Sequence, residues 1–284
     1  FLSSVILDIA DMTTDGCFVL GTAVSVTMAA AGHPFLAVPA AMLAGICAGF
    51  VTAFQQTPSR CAVHSRRYHH QYGTLHHQSD GDGLERQRES FKGRDHLFPA
   101  SKTGIGGDWY EALLAICVTV LAGALLVYFL GTRLGLSIRA TGNNIDMVRA
   151  SSINPTFTIT VGLCIANALT ALSGAMVGQY QNTADINGGT GIVVIGLACL
   201  IIGETVLGRR GVARGVIATV IGSIIYRFIY AIVLYTKIMP VQGLKLVTAV
   251  IVALAIAFPT IRKWAAFQTR KNAAARRKGG HGAC

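Results

Sequence analysis

The sequence predicts an all-α, polytopic helical membrane protein. Three observations carry that prediction. Only 13% of the residues are charged against 52% hydrophobic, with a mean hydropathy of +0.53, whereas a soluble domain has about a quarter of its residues charged. The charges cluster between long apolar runs. Thirty-two glycines with few aromatics suit helices whose backbones approach closely in lipid. The formal charge of +11 reads as loop bias rather than nucleic-acid binding, because no basic stripe is interleaved with aromatics. The seven cysteines show no C-x-x-C and no metal spacing. Cys47, Cys117, Cys164 and Cys199 sit inside apolar runs, where a thiol behaves as a small hydrophobe.

The apolar segments are, in order, 17–31, 35–54, 110–130, 156–178, 191–207, 212–235 and 244–261. These make about seven spans or re-entrant segments, since a bilayer core of about 30 Å takes roughly 20 helical residues to cross. Segments 17–31 and 191–207 are short and read as tilted or re-entrant. The chain begins at Phe1, and a preceding N-terminal span is expected to be missing. The reading divides into a truncated membrane segment (1–54), a polar block (55–101), a membrane core (102–262) and a basic tail (263–284).

Orientation follows from the loops. Arg133, Arg139 and Arg149 share one connection, Arg209, Arg210 and Arg214 share the next basic one, and the tail carries Lys263, Arg270, Lys271, Arg276, Arg277 and Lys278. The alternate connections are poor in Lys and Arg. Basic loops face the cytoplasm, so the second half fits five spans with a cytoplasmic C-terminus.

One cytoplasmic connection, GLSIRATGNNIDMVRASSINP at 135–155, is too rich in structural signals for a spacer. Asn143 or Asn144 is placed to cap a short helix, Asp146 suits its first turn, and Pro155 suits the start of the next span. Ile145, Met147, Val148 and Ile153 give that helix an apolar side, fit either for docking a cytoplasmic partner or for lying on the bilayer surface.

Within this loop, SIRATGNNIDMVRASSIN resembles the coupling-helix loop of permease subunits of bacterial ABC importers, in the branch serving branched-chain amino acids and simple sugars. The stretches LDIADMTTDGCFVLGTAVS (7–25), SGAMVGQYQNTADINGGTGIVVIGLACLIIGETVLGRRGVARGVIATVIGSIIYR (173–227) and LKLVTAVIVALAIAFP (244–259) resemble the narrower tryptophan/tyrosine-type permeases. The likeness covers about 1–54 and 102–270. It departs at Ser151-Ser152, where members usually carry an aliphatic residue followed by Gly. The resemblance implies an amino-acid permease of the bacterial inner membrane, working by alternating access as a homodimeric pore. It implies two partners, a cytoplasmic ATP-binding subunit and an extracytoplasmic solute-binding protein, with no cofactor or metal in this chain and no nucleic-acid partner. ATP chemistry would belong to the partner, in keeping with the absence of a G-x-x-x-x-G-K-[ST] motif. The ATPase would push on Gly142, Asn143, Asn144, Asp146, Met147, Val148, Arg149, Ala150, Ser151, Ser152, Ile153 and Asn154. No convergent acid/base set or H-E-x-x-H points to an enzyme.

Polar residues at membrane depth are costly and mark pathways. Asp11, Thr13, Thr14 and Asp15 precede Gly16 as a polar, non-helical start to the first span, similar to a broken helix of the family or else an ordinary loop. Arg227, beside Tyr226 and Tyr230, lies deep in its span and needs a partner or an aqueous face. Gln179, Gln181 and Asp185 fall in an outward-facing connection, to meet substrate, its binding protein or only solvent.

The polar block holds six of the eight histidines. As a cytoplasmic metal site it would make the protein a metal-ion transporter or sensor, with His69, His70, His76 and His77 joined by Asp80, Asp82 and Glu85. No familiar ligand spacing supports that, and as a plain loop the block exceeds ordinary lengths. The third reading is a span read out of frame. Back-translating Tyr68-His69-His70-Gln71-Tyr72 and dropping one base leaves only Ile or Thr three times, then Asn or Ser. Continued over 63–83, one reading that the codons allow in the shifted frame is an uncharged run of span length. As written, Arg66, Arg67, Asp80, Asp82, Arg86 and Arg88 bar the block from a bilayer, at roughly 2.5–3.5 kcal/mol each at a span centre.

Overall fold

The computed structural model describes residues 1–7, 11, 13–56, 107–208 and 211–235, with 253 and 257, and their secondary structure is entirely helical. After a π-helical turn at Leu2–Ile6 come α1 (Thr14–Ala30), α2 (Pro34–Gln56), α3 (Gly107–Gly131), α4 (Arg133–Asn143), α5 (Ile145–Ala150), α6 (Pro155–Gln181), α7 (Ile192–Leu207) and α8 (Val212–Tyr235). A 3-10 turn at Ile186–Gly189 precedes α7.

Breakers and caps set the limits. Pro34 and Pro155 stand at the first positions of α2 and α6, where a missing N–H costs nothing. Asn154 accepts from the N–H of Thr156 at 3.0 Å and caps α6, and Asn182, at φ 54°, ends it in the left-handed conformation.

Four helices are long and apolar enough to cross a membrane: α2, α3, α6 and α8. That corrects the expectation of about seven spans among the described residues. The segments expected at 17–31 and 191–207 form helices of 17 and 16 residues, apolar but short. The segment at 244–261 lies outside the described residues except for positions 253 and 257, and most of the polar block and the basic tail lie outside them too.

The chain forms two compact units, residues 1–193 and 194–284. In the first, α6 is central, with α1 and α2 packed on it and on each other. Ala171 of α6 is fully buried. An added Cβ on Gly21 would fall on its backbone, and one on Gly45 would come within 2.6 Å of its Cβ. Small residues thus let three apolar helices touch backbone to backbone, which drives helix association where lipid removes the hydrophobic gain.

Below this trio, α4 packs on α6 and on the π-helical turn. Leu7, Ala53, Ile138 and Leu163 form a buried cluster there, and the Thr141 and Thr158 hydroxyls pair at 2.8 Å. Helix α3 packs on α4 and leaves Leu113, Ile116, Val120, Leu121, Leu125 and Tyr128 exposed, as suits a lipid-facing surface. In the second unit, Gly203 and Gly222 leave room for the backbones of α7 and α8 to approach, with Tyr226 buried.

Candidate functional site

Two groups of the expected residues take definite form: a short helix between two spans and a polar cluster within the trio of α1, α2 and α6.

The expected coupling stretch is not one helix. Gly142 and Asn143 are the last residues of α4, α5 spans Ile145–Ala150, and 151–154 lead into α6. Two competing termini explain the break. Asn144 is extended (φ −161°) and its Oδ1 accepts from the N–H groups of Asp146 and Met147 at 3.0 and 3.1 Å, so Asn144 and not Asn143 is the cap. At the other end Ser152 adopts φ 58°. The Ile153 N–H donates to the Val148 carbonyl at 3.2 Å and the Ser152 N–H to that of Arg149 at 3.3 Å, the paired bonds of a Schellman motif.

Asp146 and Arg149 form an ion pair at 3.8 Å, but both are largely exposed, so it adds little. Val148 is buried at 2% exposure, while Ile145 and Met147 stand out at 44% and 69%. Ala150, Ser151, Ser152 and Asn154 are exposed and Ile153 is half-buried. One apolar residue therefore pins α5 and two remain on its outer surface. Gly142 lies against the backbone of Ile6 so closely that a Cβ would meet the Ile6 carbonyl oxygen. This joins the α4–α5 corner to the N-terminal turn.

The polar start of α1 is shorter than expected. Thr14, Asp15 and Gly16 already lie in the first helical turn, and Thr13 is the N-cap residue. The non-helical part ends there because Asp11 supplies the local bonds: its Oδ1 accepts from the Thr13 N–H at 3.0 Å and from the Thr13 hydroxyl at 2.6 Å, and its carbonyl accepts from the Thr14 hydroxyl at 3.0 Å. Asp11 is only 5% exposed. Its Oδ2 accepts from Nδ2 of Asn167, at 3.2 Å, on α6. Thr52 of α2 joins through its hydroxyl, 3.0 Å from that of Thr13. Asn167 stands 12 residues into α6, about 18 Å along its axis, near the middle of a bilayer core of about 30 Å.

Asp15 does something the sequence did not suggest. Its two carboxylate oxygens accept from the N–H groups of Gly191 and Val193, each at 3.0 Å, capping the turn at which α7 begins. Gly189 is pressed to the Asp15 carbonyl, leaving 2.7 Å to an added Cβ. Residues 189–193 are thus held beside the start of α1, well below the end of α6 at Gln181. Gly16 is exposed, with no atom within 4 Å of an added Cβ.

Gln179 is a correction. It belongs to the last turn of α6 and not to an outward loop. It is buried at 1% exposure, with Nε2 donating to the Ser25 hydroxyl at 2.8 Å and the Pro34 carbonyl at 3.3 Å. Asp185 is exposed in the connection and its carbonyl accepts from Gly188 N–H at 3.2 Å. Arg227, in the second unit, is exposed on α8. The sequence reading missed Asn167 and Thr52. Their signal was a polar side chain inside an apolar span, the same one that singled out Arg227. The metal reading of the polar block falls on positions outside the described residues, and among the described residues no group of three His, Cys, Asp or Glu side chains gathers to hold a metal.

The family described as "Branched-chain amino acid transport system / permease component" matches residues 70–259. The chain belongs to this family. It is a helical permease subunit of a bacterial ABC importer. Among curated proteins, a tyrosine transport system permease protein of Clostridioides difficile is 28% identical over 260 residues, 89% of this chain and 82% of that protein. An uncharacterized protein of Rickettsia prowazekii, RP368, is 27% identical over 260 residues, 90% of each. No solved structure matches the chain significantly. In the permease, the α5 corner packs through Gly142 on Ile6 and Leu7, a few residues before Asp11 in the sequence.

Proposed function

We propose that this permease subunit imports an amino acid, driven by a cytoplasmic ATPase that seats α5. The observation that carries the reading is the short helix fixed at both ends by Asn144 and the Schellman bonds, with Ile145 and Met147 left exposed between two spans. A six-residue helix is too short to persist alone, so two dedicated termini indicate a surface that must hold its shape under load. The amino-acid class is supported by the relative that transports tyrosine. The basic loops favour a cytoplasmic C-terminus in the bacterial inner membrane. The whole assembly is a homodimer of permeases served by an extracytoplasmic solute-binding protein.

Substrate passes along the start of α1, where Asp11, Thr13, Asp15 and Gly16 sit at mid-depth, with Asp185 toward the outer side; Arg227 is a separate pathway candidate within the second unit. Gln179 holds α6 to α1 and α2. Alternating access follows when closure of the ATPase moves α5 and, through Gly142 and Ile6, the chain leading to Asp11.

The test is co-purification. The tagged permease is expressed with candidate nucleotide-binding subunits from the same genome, and the ATPase retained in detergent is measured for wild type and Ile145→Ser/Met147→Ser. Retention by wild type and its loss in the double variant is the expected result. Equal retention would remove α5 from the docking surface.

A further inference from the structure

The polar cluster at the start of α1 has an imbalance that its own residues do not resolve. Asp11 is its one acidic side chain, and no basic side chain among the described residues pairs with that carboxyl group. Asn167 is fully buried and its Oδ1 has no hydrogen-bond partner. Because its Nδ2 already donates to Asp11 Oδ2 at 3.2 Å, that orphaned oxygen lies within one amide's width of the carboxylate.

The threonine hydroxyls, with the Cys17 thiol beside Thr13, are committed within the cluster and leave the Asn167 oxygen unserved. Thr13 commits its single hydroxyl hydrogen to Asp11 at 2.6 Å. Thr52 lies 3.0 Å from both the Ala48 carbonyl and the Thr13 hydroxyl oxygen, and its one hydrogen serves only one of them. Leaving a buried acceptor unpaired is costly, and more so in a low-dielectric interior. A group that brings a hydrogen would satisfy the Asn167 Oδ1, and one that also carries a positive charge would pair with the buried carboxylate beside it. Access is at hand, since Thr13 is exposed beside buried Asp11 and Gly16 borders open space.

We propose that the cluster of Asp11, Thr13, Thr52 and Asn167 binds the primary ammonium group of the transported molecule. Such a group carries one positive charge and three hydrogens, matching one carboxylate, the Asn167 Oδ1 and a threonine hydroxyl oxygen. Binding it at mid-depth neutralises Asp11 as the substrate passes. This inference rests on the amino-acid reading above for its substrate class, but the site itself is defined by the ammonium alone.

The experiment follows the thermal unfolding midpoint of the full-length permease in detergent, with methylammonium, tyramine, L-tyrosine, 3-(4-hydroxyphenyl)propionate, tetramethylammonium and potassium as probes. At saturation the three primary-ammonium compounds are expected to raise the midpoint by about 3 °C or more. The propionate, which lacks the ammonium, and tetramethylammonium, which lacks the hydrogens, leave it unchanged. Asp11→Asn, nearly isosteric, and Thr52→Val abolish the rise while unfolding cooperatively without probe, which separates lost binding from lost folding. A rise with potassium or tetramethylammonium equal to that with methylammonium, a rise with the propionate, or a full response in Asp11→Asn would each overturn the proposal. No response to any probe would overturn it too. The ATPase co-purification is read on the same preparations. Loss of ATPase binding with the methylammonium response intact defeats the importer reading and leaves the site, and the converse defeats the site alone.

Discussion

The carboxylate of Asp15 receives the backbone N–H of Val193 at 3.0 Å, across 178 positions of sequence, and the N–H of Gly191 on its other oxygen at the same distance. A charged acceptor at a helix start satisfies orphan donors and opposes the dipole. Asp15→Ala therefore leaves two half-buried N–H groups unpaired and is expected to lower stability by about 2 kcal/mol. Asp15→Asn, which keeps one acceptor oxygen, loses about half as much. Equilibrium unfolding of the purified variants in detergent measures both, and equal stability of Asp15→Ala and wild type would show that the cap contributes nothing.

Ser152 sits at φ 58° between the two carbonyl-satisfying bonds that close α5. A side chain in that conformation costs about 1–2 kcal/mol that glycine avoids. The same position is where the resembled permeases carry Gly. Ser152→Gly is expected to stabilise the α5 corner by about 1 kcal/mol net of glycine's greater chain entropy, and Ser152→Val to weaken it further. Amide exchange at residues 148–153 reads the local change, slower in the first variant and faster in the second.

Asn144 holds the opposite end through two N–H groups. Its replacement by alanine is expected to cost about 1 kcal/mol of cap energy, which frays a helix with only six residues to spare. If α5 must be formed to seat the ATPase, affinity falls by about fivefold, the same free energy seen in binding. Asn144→Asp keeps the acceptor and the affinity. Titration of labelled ATPase onto detergent-solubilised permease distinguishes these outcomes.

Ala171 is where α1, α2 and α6 converge, with Gly21 and Gly45 both against it. Ala171→Leu has no space to occupy at 0% exposure. Overpacking of that kind costs about 1–3 kcal/mol, and the expected result is a lower unfolding midpoint with the trio loosened. Leu125→Ala on the exposed face of α3 serves as the comparison and shifts the midpoint little in detergent.

Helix positions were legible because span length and breakers act locally: Pro155 and the apolar runs of α2 and α8 needed no tertiary information. So was the cap at one of two asparagines, a choice that backbone geometry then decided for Asn144. Tertiary pairings were not legible. Asp15 reaches residues 191–193 and Asp11 reaches Asn167 only because α1 and α6 run side by side, and nothing within either segment encodes the partner. Gln179 was read as loop polarity for the same reason. An amide near a span's end looks solvated until the Ser25 hydroxyl and Pro34 carbonyl are seen to enclose it.

The polar block at 55–101 is the last place where sequence and membrane disagree. Helix α2 runs through Gln56, and the family match enters the block at residue 70 and continues to 259, so the block stands where a family segment belongs. Its charges forbid a span in the frame as written, while codon degeneracy allows the neighbouring frame to spell an uncharged run over 63–83. We hold to the out-of-frame reading, which requires one base shift near residues 54–58 and a compensating shift near 98–101. Independent sequencing of the source DNA across codons 50–105 tests it directly. A single-base discrepancy at each edge restores an intact permease. An unchanged reading in which the neighbouring frame still spells the apolar run marks a decayed gene, whose product should fail to support uptake. If the neighbouring frame spells charged residues instead, the block is a true loop, and zinc titration of the purified chain, with His69, His70, His76 and His77 replaced as the comparison, becomes the deciding measurement.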